Sequence, residues 1–307
     1  MTLPVTGVYC AATTPVKPDL SPNFEAFAKH CRWLIAEGCT GVALLGTTGE
    51  ANSFSSLERR QLLEAALNAG LAGDQLLPGT GLANVSETID LTRHALTHGV
   101  RQVVMLPPFY YKGVSDEGLF QAYAKVIEGV GSDKLRVILY HIPQMTGLPI
   151  SHDLIARLTG AFPGIVVGIK DSAGQFDNMT AMLARFNDFS VLAGADPLLL
   201  PLVQAGGAGC ITATSNLVAR SLATVFKHAN DPARVAEVEA AQAKIVAHRN
   251  LSNSYVQIPA IKAMVGYLHG DVKGWARTRP PLVSLDDAGL ADLRGKLIEI
   301  GAAVNGA

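Results

Sequence analysis

The chain has 307 residues, of which 49% are hydrophobic and 17% charged, with a formal net charge of −1. That balance excludes a disordered chain, which needs low hydrophobicity and high net charge. It also leaves no basic surplus to neutralise a phosphate backbone, so no nucleic-acid partner is expected.

Short apolar runs recur every 25–30 residues, each followed by an amphipathic stretch and a small-residue break. The predicted strands are Gly7–Thr13, Gly41–Leu45, Leu76–Thr80, Gln102–Leu106, Arg136–His141, Ile165–Lys170, Phe189–Ala193 and Gly209–Thr212. Between them the pattern predicts helices over Pro22–Glu37, Leu57–Gly70, Val85–Gly99, Asp116–Val130, His152–Leu158, Phe176–Phe186, Pro197–Ala205 and Val218–His228. Near-continuous apolar strands alternating with helices indicate a parallel sheet covered on both faces. Eight such units fit a (β/α)8 TIM barrel over residues 1–229. A doubly wound open sheet is the rival, but its glycine-rich first turn is here Thr13-Thr14-Pro15. Beyond residue 230 the strand signal stops. Pro232–Leu251, Val256–Leu268 and Asp286–Val304 read as helices of a C-terminal helical domain, residues 230–307. Its alanine-rich faces need a surface to bury against, either the barrel or another subunit.

Mean hydropathy is +0.25, yet the most apolar stretch, Pro197–Val203, is soon followed by Gln204 and Gly206-Gly207. A membrane-spanning helix needs about 20 apolar residues, so no membrane partner is expected. The opening MTLPVTGVYCAATTP lacks the basic-then-apolar order of a leader, and a cytoplasmic location is expected. Cys10, Cys31, Cys39 and Cys210 show no C-x-x-C spacing. They read as buried free thiols rather than a disulfide framework or metal site.

In a barrel of this type the chemistry lies at the C-terminal ends of the strands. There the sequence places Gly46-Thr47-Thr48-Gly49-Glu50, the run Pro107–Lys112, Tyr140-His141, Lys170-Asp171-Ser172 and Gly194-Ala195-Asp196. Lys170 ends the apolar run Ile165–Ile169. Burial disfavours its ammonium form and frees the amine to condense with a ketone as a Schiff base; pairing with Asp171 or reaching to solvent is the alternative. The Tyr140 hydroxyl is placed to pass protons to a substrate oxygen, or else is a packing tyrosine with a satisfied hydroxyl. His141 falls on the other face and reads as structural. Thr47 and Thr48 offer hydroxyls and backbone N–H groups suited to a carboxylate or phosphate, though such a turn is more often a structural one. Glu50 could act as a general base or pack under the loop, and packing is the favoured reading. Gly206-Gly207-Ala208-Gly209 has no Lys or Arg nearby before Arg220, which argues against a phosphorylated ligand.

Taken together, Gly46-Thr47-Thr48-Gly49-Glu50, Tyr140 with Pro143, and Val167-Gly168-Ile169-Lys170-Asp171-Ser172 resemble the dihydrodipicolinate synthase and N-acetylneuraminate lyase family, in order and spacing along nearly the whole chain. The resemblance implies a class I lyase. Lys170 would form a Schiff base with pyruvate or a 2-oxo acid, and Tyr140 would shuttle protons. Thr47 would link Tyr140 to Tyr111, which in many members enters from a neighbouring subunit. Thr48 would hold the pyruvate carboxylate, and Gly194 and Ile211 would line the imine pocket. No metal or organic cofactor is implied, because the protonated imine is the electron sink, and a homotetramer built as a dimer of dimers is the family's usual assembly. One departure stands out. Where synthases carry an arginine for the second substrate's carboxylate, this chain has Met145, which is more like the sugar-acid aldolases, while the Gly-Thr-Thr-Gly-Glu form is that of the synthases. The leading expectation is an aldolase or dehydratase acting on a 2-oxo-3-deoxy sugar acid or similar hydroxylated 2-oxo acid. The alternatives are 4-hydroxy-tetrahydrodipicolinate synthase, condensing pyruvate with aspartate semialdehyde, and a non-catalytic 2-oxo-acid binding protein, which would show a damaged catalytic set.

Overall fold

In the computed structural model, which describes residues 5–305, β1 (Gly7–Ala11), α1 (Phe24–Ala36) and β2 (Gly41–Ala43) open the chain. They are followed by α2 (Ser56–Asn68), α3 (Val85–Thr97), β3 (Gln102–Met105), α4 (Asp116–Val130), β4 (Arg136–His141), the single turn α5 (Pro143–Thr146) and α6 (His152–Ala161). Then come β5 (Val166–Asp171), α7 (Phe176–Arg185), β6 (Ser190–Ala193), α8 (Leu199–Gln204), β7 (Gly209–Thr212) and α9 (Ser215–His228). The chain ends in α10 (Val235–Asn253), α11 (Gln257–His269), the short α12 (Val272–Trp275) and α13 (Asp287–Glu299). Residues 1–4, read above for a leader, and 306–307, at the end of the helical extension, lie outside the described residues. Among the described residues no helix is long and apolar enough to cross a membrane.

The strands form one parallel sheet in the order β2-β1-β7-β6-β5-β4-β3. The expected eighth strand, Leu76–Thr80, lies between the two ends but joins them by single bridges, Val42 to Leu76 and Gly79 to Val104. On the β3 side one residue limits the ladder. Leu77 and Gly79 donate to Val42 and Leu44 of the β2 side at 2.9 and 2.8 Å, and Thr80 donates to Val104 at 3.1 Å. Pro78, whose nitrogen would face β3, has no N–H to give. Val104 N still donates to Pro78 O at 3.0 Å, so the barrel closes through this segment with one ladder bond withheld on the β3 side.

Side chains alternate along each strand. Tyr9, Ala11, Ala43, Leu77, Val104, Ile138, Tyr140, Val167, Leu192 and Ile211 fill the interior, while Val8, Cys10, Val42, Val103, Val137, Leu139, Val166, Ile169 and Val191 pack outward under the helices. This is the period-two filling of a small barrel. In β5 the alternation breaks. Val137 and Ile138 are consecutive on β4 but pair with Val166 and Gly168 on β5, so Val167 is an extra residue and a β-bulge. From there Ile169 faces outward and Lys170, opposite Tyr140, faces the interior.

Closure at β1 and β7 rests on Asn216. Its amide donates to the carbonyls of Ala11 and Ala213, both at 2.8 Å, and its oxygen accepts from Thr13 N at 3.1 Å and His30 Nε2 at 3.0 Å. Burial, the dominant cause, pulls His30 down to about 3. Being neutral and donating from Nε2, it accepts at Nδ1 from His269 of α11. All four cysteines are free and buried, as expected.

Gly168 tests the bulge. A Cβ there would lie 2.6 Å from Ser190 O and 2.9 Å from Ser190 Cβ, whereas one at Gly160 of α6 would meet nothing within 4 Å. We expect Gly168→Ala to lower the unfolding free energy by about 1–3 kcal/mol. Gly160→Ala should be neutral or stabilising by about 0.5–1 kcal/mol. Urea midpoints compared at equal m-value check both.

Candidate active site

The loop leaving β2 turns sharply. Leu45 and Glu50 both sit in the left-handed region, at φ of 59° and 55°. Glu50 N donates to Thr47 O at 3.0 Å and Ala51 N to Gly46 O at 3.2 Å, which leaves Thr47 and Thr48 facing the barrel mouth. The turn is fastened from outside the barrel. Glu50 is buried, accepts from Lys262 Nζ of α11 at 2.5 Å and from Arg279 N at 3.0 Å, and Lys262 is fully buried. Burial pulls the Lys262 ammonium below its ordinary range, and Glu50 acts against that shift. The Arg279 guanidinium lies 4.1 Å from the Phe54 ring centroid and donates to Ser53 O and Leu20 O. Glu50 is thus the anchor of the loop, in keeping with its reading as a packing residue.

Lys170 is 5% exposed, and its Nζ stands 4.1 Å from the centroid of the Tyr140 ring. Asp171, its chain neighbour, is turned the other way. Its carboxylate accepts from Ala173 N at 2.8 Å and Asn178 Nδ2 at 2.7 Å. Lys170 therefore has no ion-pair partner among the described residues. Tyr140 OH lies 3.3 Å from Thr47 Oγ1. Burial alone would push its phenol up. The Lys170 ammonium, then hydrogen bonds with Thr47, Lys170 and Ser172, more than offset this, and the phenol sits below its ordinary value. His141 is structural: its Nδ1 accepts from Ile150 N at 3.0 Å, and burial keeps its pKa below the ordinary range.

Gly194 follows β6 and donates to Asp171 O at 2.7 Å. A Cβ on it would meet Ser172 Oγ at 1.9 Å, so glycine at this position is what lets Ser172 stand beside Tyr140. The cleft above these residues has two joined lobes of about 1050 and 960 Å³, counting the open mouth. Lys170, Tyr140, Thr47, Met145 and Ile211 line both lobes; Thr48 and Gly194 line the second. Tyr111 stands apart: it is 71% exposed, with its ring edge-on to Tyr110 at 5.3 Å. The link from Thr47 to Tyr111 is not made within one chain.

Sequence reasoning missed the contribution of the helical extension. Arg249 of α10 and Gln257 and Ile258 at the start of α11 line the second lobe, with Leu282 between the last helices. Arg249 is held 3.4 Å from the fully buried Asp196. No local signal marks these residues, because only packing of the extension against the mouth brings them there.

A parallel barrel with a lysine, a tyrosine and a threonine turn converging at the C-terminal mouth defines an enzyme of the barrel class. The family model described as the Dihydrodipicolinate synthetase family matches residues 4–299. An uncharacterized DapA-like lyase of Chloroflexus aurantiacus is 34% identical over 292 residues, 94% of each chain. The dihydrodipicolinate synthase structure from Agrobacterium tumefaciens superposes with a TM-score of 0.86 at 31% identity, covering 96% of this chain and 99% of that one. YagE of E. coli K12, solved in complex with pyruvate, gives a TM-score of 0.87 at 25% identity, covering 97% and 99%. The chain belongs to the dihydrodipicolinate synthetase family and is a lyase of that family.

The buried anchor yields a prediction. Lys262→Met leaves the Glu50 carboxylate buried without its cation, which costs about 3–5 kcal/mol. Adding Glu50→Gln to that variant removes the stranded charge and should recover part of the loss. Chemical unfolding of the single and double variants measures the difference.

Proposed function

We propose that this enzyme makes or breaks a bond next to a pyruvyl imine carried on Lys170. The observation that carries the reading is the lysine itself: it is buried inside the barrel mouth, free of a carboxylate partner, with its Nζ against the Tyr140 ring. The neutral amine adds to the 2-oxo carbon, and loss of one water gives the protonated imine. Tyr140, with a phenol below its ordinary value and a hydroxyl linked to Thr47, gives a proton to the carbinolamine oxygen, regains one from the nitrogen and gives it up again as the water leaves, so that it ends as the phenolate beside the protonated imine. The imine then accepts the electron pair released by C–C cleavage or, in reverse, yields the enamine that attacks an aldehyde. Hydrolysis returns the amine. Thr48 would hold the pyruvyl carboxylate, and Gly194 and Ile211 would wall the imine pocket; all three line the second lobe, which supports these roles. The chemistry needs no metal or organic cofactor. YagE, seen with pyruvate, supports the choice of keto acid by likeness.

For the second reactant, Met145 decides the leading reading. It lines both lobes and is 62% exposed, so the position presents a thioether that cannot donate a hydrogen bond. Lys112 is engaged with the carbonyls of Phe109 and Thr146 and lines neither lobe. The substrate we infer is a 2-oxo-3-deoxy sugar acid or similar hydroxylated 2-oxo acid, cleaved or dehydrated. Condensation of pyruvate with aspartate semialdehyde is the second reading, favoured by Arg249 in the second lobe. The exposed pair Tyr110 and Tyr111 fits insertion into a neighbouring copy, in line with a homotetramer that completes the proton relay. The four buried free thiols fit a reducing, cytoplasmic setting.

Borohydride added with pyruvate should leave a reduced pyruvyl adduct on the peptide holding Lys170 and none in Lys170→Ala; an adduct on another lysine would sink the assignment. Tyr140→Phe keeps the ring and removes the hydroxyl, and we expect turnover to fall by about 10²–10⁴-fold, with imine trapping retained. An unchanged rate would reduce Tyr140 to a packing residue.

The second test compares kcat/KM for aspartate semialdehyde and for glyceraldehyde at saturating pyruvate. A charge-assisted hydrogen bond to a carboxylate is worth about 1.5–3 kcal/mol, so Met145→Arg should raise the aspartate semialdehyde value by about 10- to 150-fold. In the natural enzyme glyceraldehyde should be preferred. A preference for aspartate semialdehyde that collapses in Arg249→Met would promote the synthase reading instead.

A further inference from the structure

Away from the mouth, the outer layer holds a group of side chains that the site does not use. His94 lies in the last turn of α3 and His98 caps its end, four residues on, so both imidazoles share one helix face. Glu64 of α2 faces them. Its Oε1 is 3.2 Å from His94 Nε2, and the two imidazole centroids are 4.3 Å apart. One donor atom from each of the three residues lies within 4.8 Å of the others.

Two details of hydrogen bonding favour a cation over a simple ion pair. His94 Nε2 is buried, and although Glu64 is near, it is out of line, so this nitrogen has no hydrogen-bond partner. His98 Nδ1 lies 2.9 Å from the His94 carbonyl and must donate to it, which leaves the lone pair on Nε2. That is the outer bond by which metal-binding imidazoles are held in one tautomer. Two imidazoles and a carboxylate, with histidines four apart on a helix, form a donor set suited to zinc and the later first-row divalent metals.

The location matters to the fold. With Arg59, Pro78, Gly79 and Thr80, His94 bounds a small cavity directly behind the 76–80 seam, and Gly79 lines the catalytic cleft on the other side. Arg59 reaches through and donates to Gly79 O at 2.8 Å.

We propose that Glu64, His94 and His98 bind one divalent transition-metal ion of the zinc class, clamping α2 to α3 over the seam where the barrel closes. Three protein ligands leave a fourth position for water. The role is structural, and the site is separate from Lys170. Arg60 is the opposing neighbour: it borders the same cavity, and its charge acts against a positive charge on His94.

The test is calorimetric titration of the tag-free, chelator-treated, full-length enzyme with ZnCl2, with MgCl2 as the hard-cation control, together with thermal unfolding. We expect one Zn2+ per chain, a higher unfolding midpoint with Zn2+, and no response to Mg2+. Removal of outer-sphere partners alone costs about 10–100-fold in affinity, so His98→Ala and Glu64→Gln should each weaken Zn2+ by at least about tenfold. His98 is exposed and Glu64 is 40% exposed, so neither change touches the core. Arg60→Gln should tighten binding, and Lys170→Ala should leave it unchanged. The visible spectrum of bound Co2+ should change in His98→Ala. No saturable one-to-one binding, or an affinity that His98→Ala and Glu64→Gln leave untouched, overturns the proposal.

Discussion

Lys170 reaches the interior of the barrel only because Val167 is an extra residue in β5. Val167 and Lys170 both face inward although they are three apart, and strict alternation from Val167 would turn Lys170 out under the helices. The bulge absorbs the odd residue. β4 carries no such insertion: Ile138 and Tyr140 face inward in ordinary alternation. Resuming register beyond the bulge then places Tyr140 opposite Lys170. The close approach to Ser190 that this requires leaves no room for a side chain at position 168. The pairing of amine and phenol is therefore a consequence of backbone register, and the surrounding residues refine it.

The other half of the site is set from outside the barrel. The threonine turn leaves β2 through two left-handed residues that are not glycine, a conformation that costs of order 1–3 kcal/mol per residue and persists only where the surroundings impose it. Those surroundings are the buried Glu50–Lys262 pair and the Arg279 guanidinium on Phe54. A buried ion pair adds little net stability but is costly to break, so it suits a junction whose value is a defined geometry. The helical extension thus holds the threonine turn in place, and through Arg249, Gln257 and Ile258 it also supplies part of the cleft wall.

These two supports meet a third feature, the seam at Leu76–Thr80. Pro78 withholds one ladder bond, and the helices flanking the seam, α2 and α3, carry the interactions that brace it, Arg59 among them. The lobe beside Gly79 is lined by Leu77, Val104 and Leu106 together with Asn52 and Ser53, and the second lobe by Gln144, Ser172, Arg249 and Gln257 together with Ile142, Ala213 and Val256.

The alternation of apolar runs with amphipathic segments was enough to specify a parallel barrel and a helical tail, because burial on both faces of a strand leaves a local compositional mark. The strand-end rule then pointed to Thr47, Thr48, Tyr140, Lys170 and Gly194 without any coordinates, and free cysteines followed from their spacing. Three things were not legible. The incomplete seam depends on which neighbour Pro78 faces. The inward turn of Lys170 depends on a bulge, which is a relation between two strands rather than a property of either. Tertiary packing alone decided that Glu50 meets Lys262 and that Arg249 enters the cleft, pairings 212 residues apart in the first case. Composition and periodicity record how each segment meets its own layer; contacts between segments far apart in the chain leave no local pattern to read.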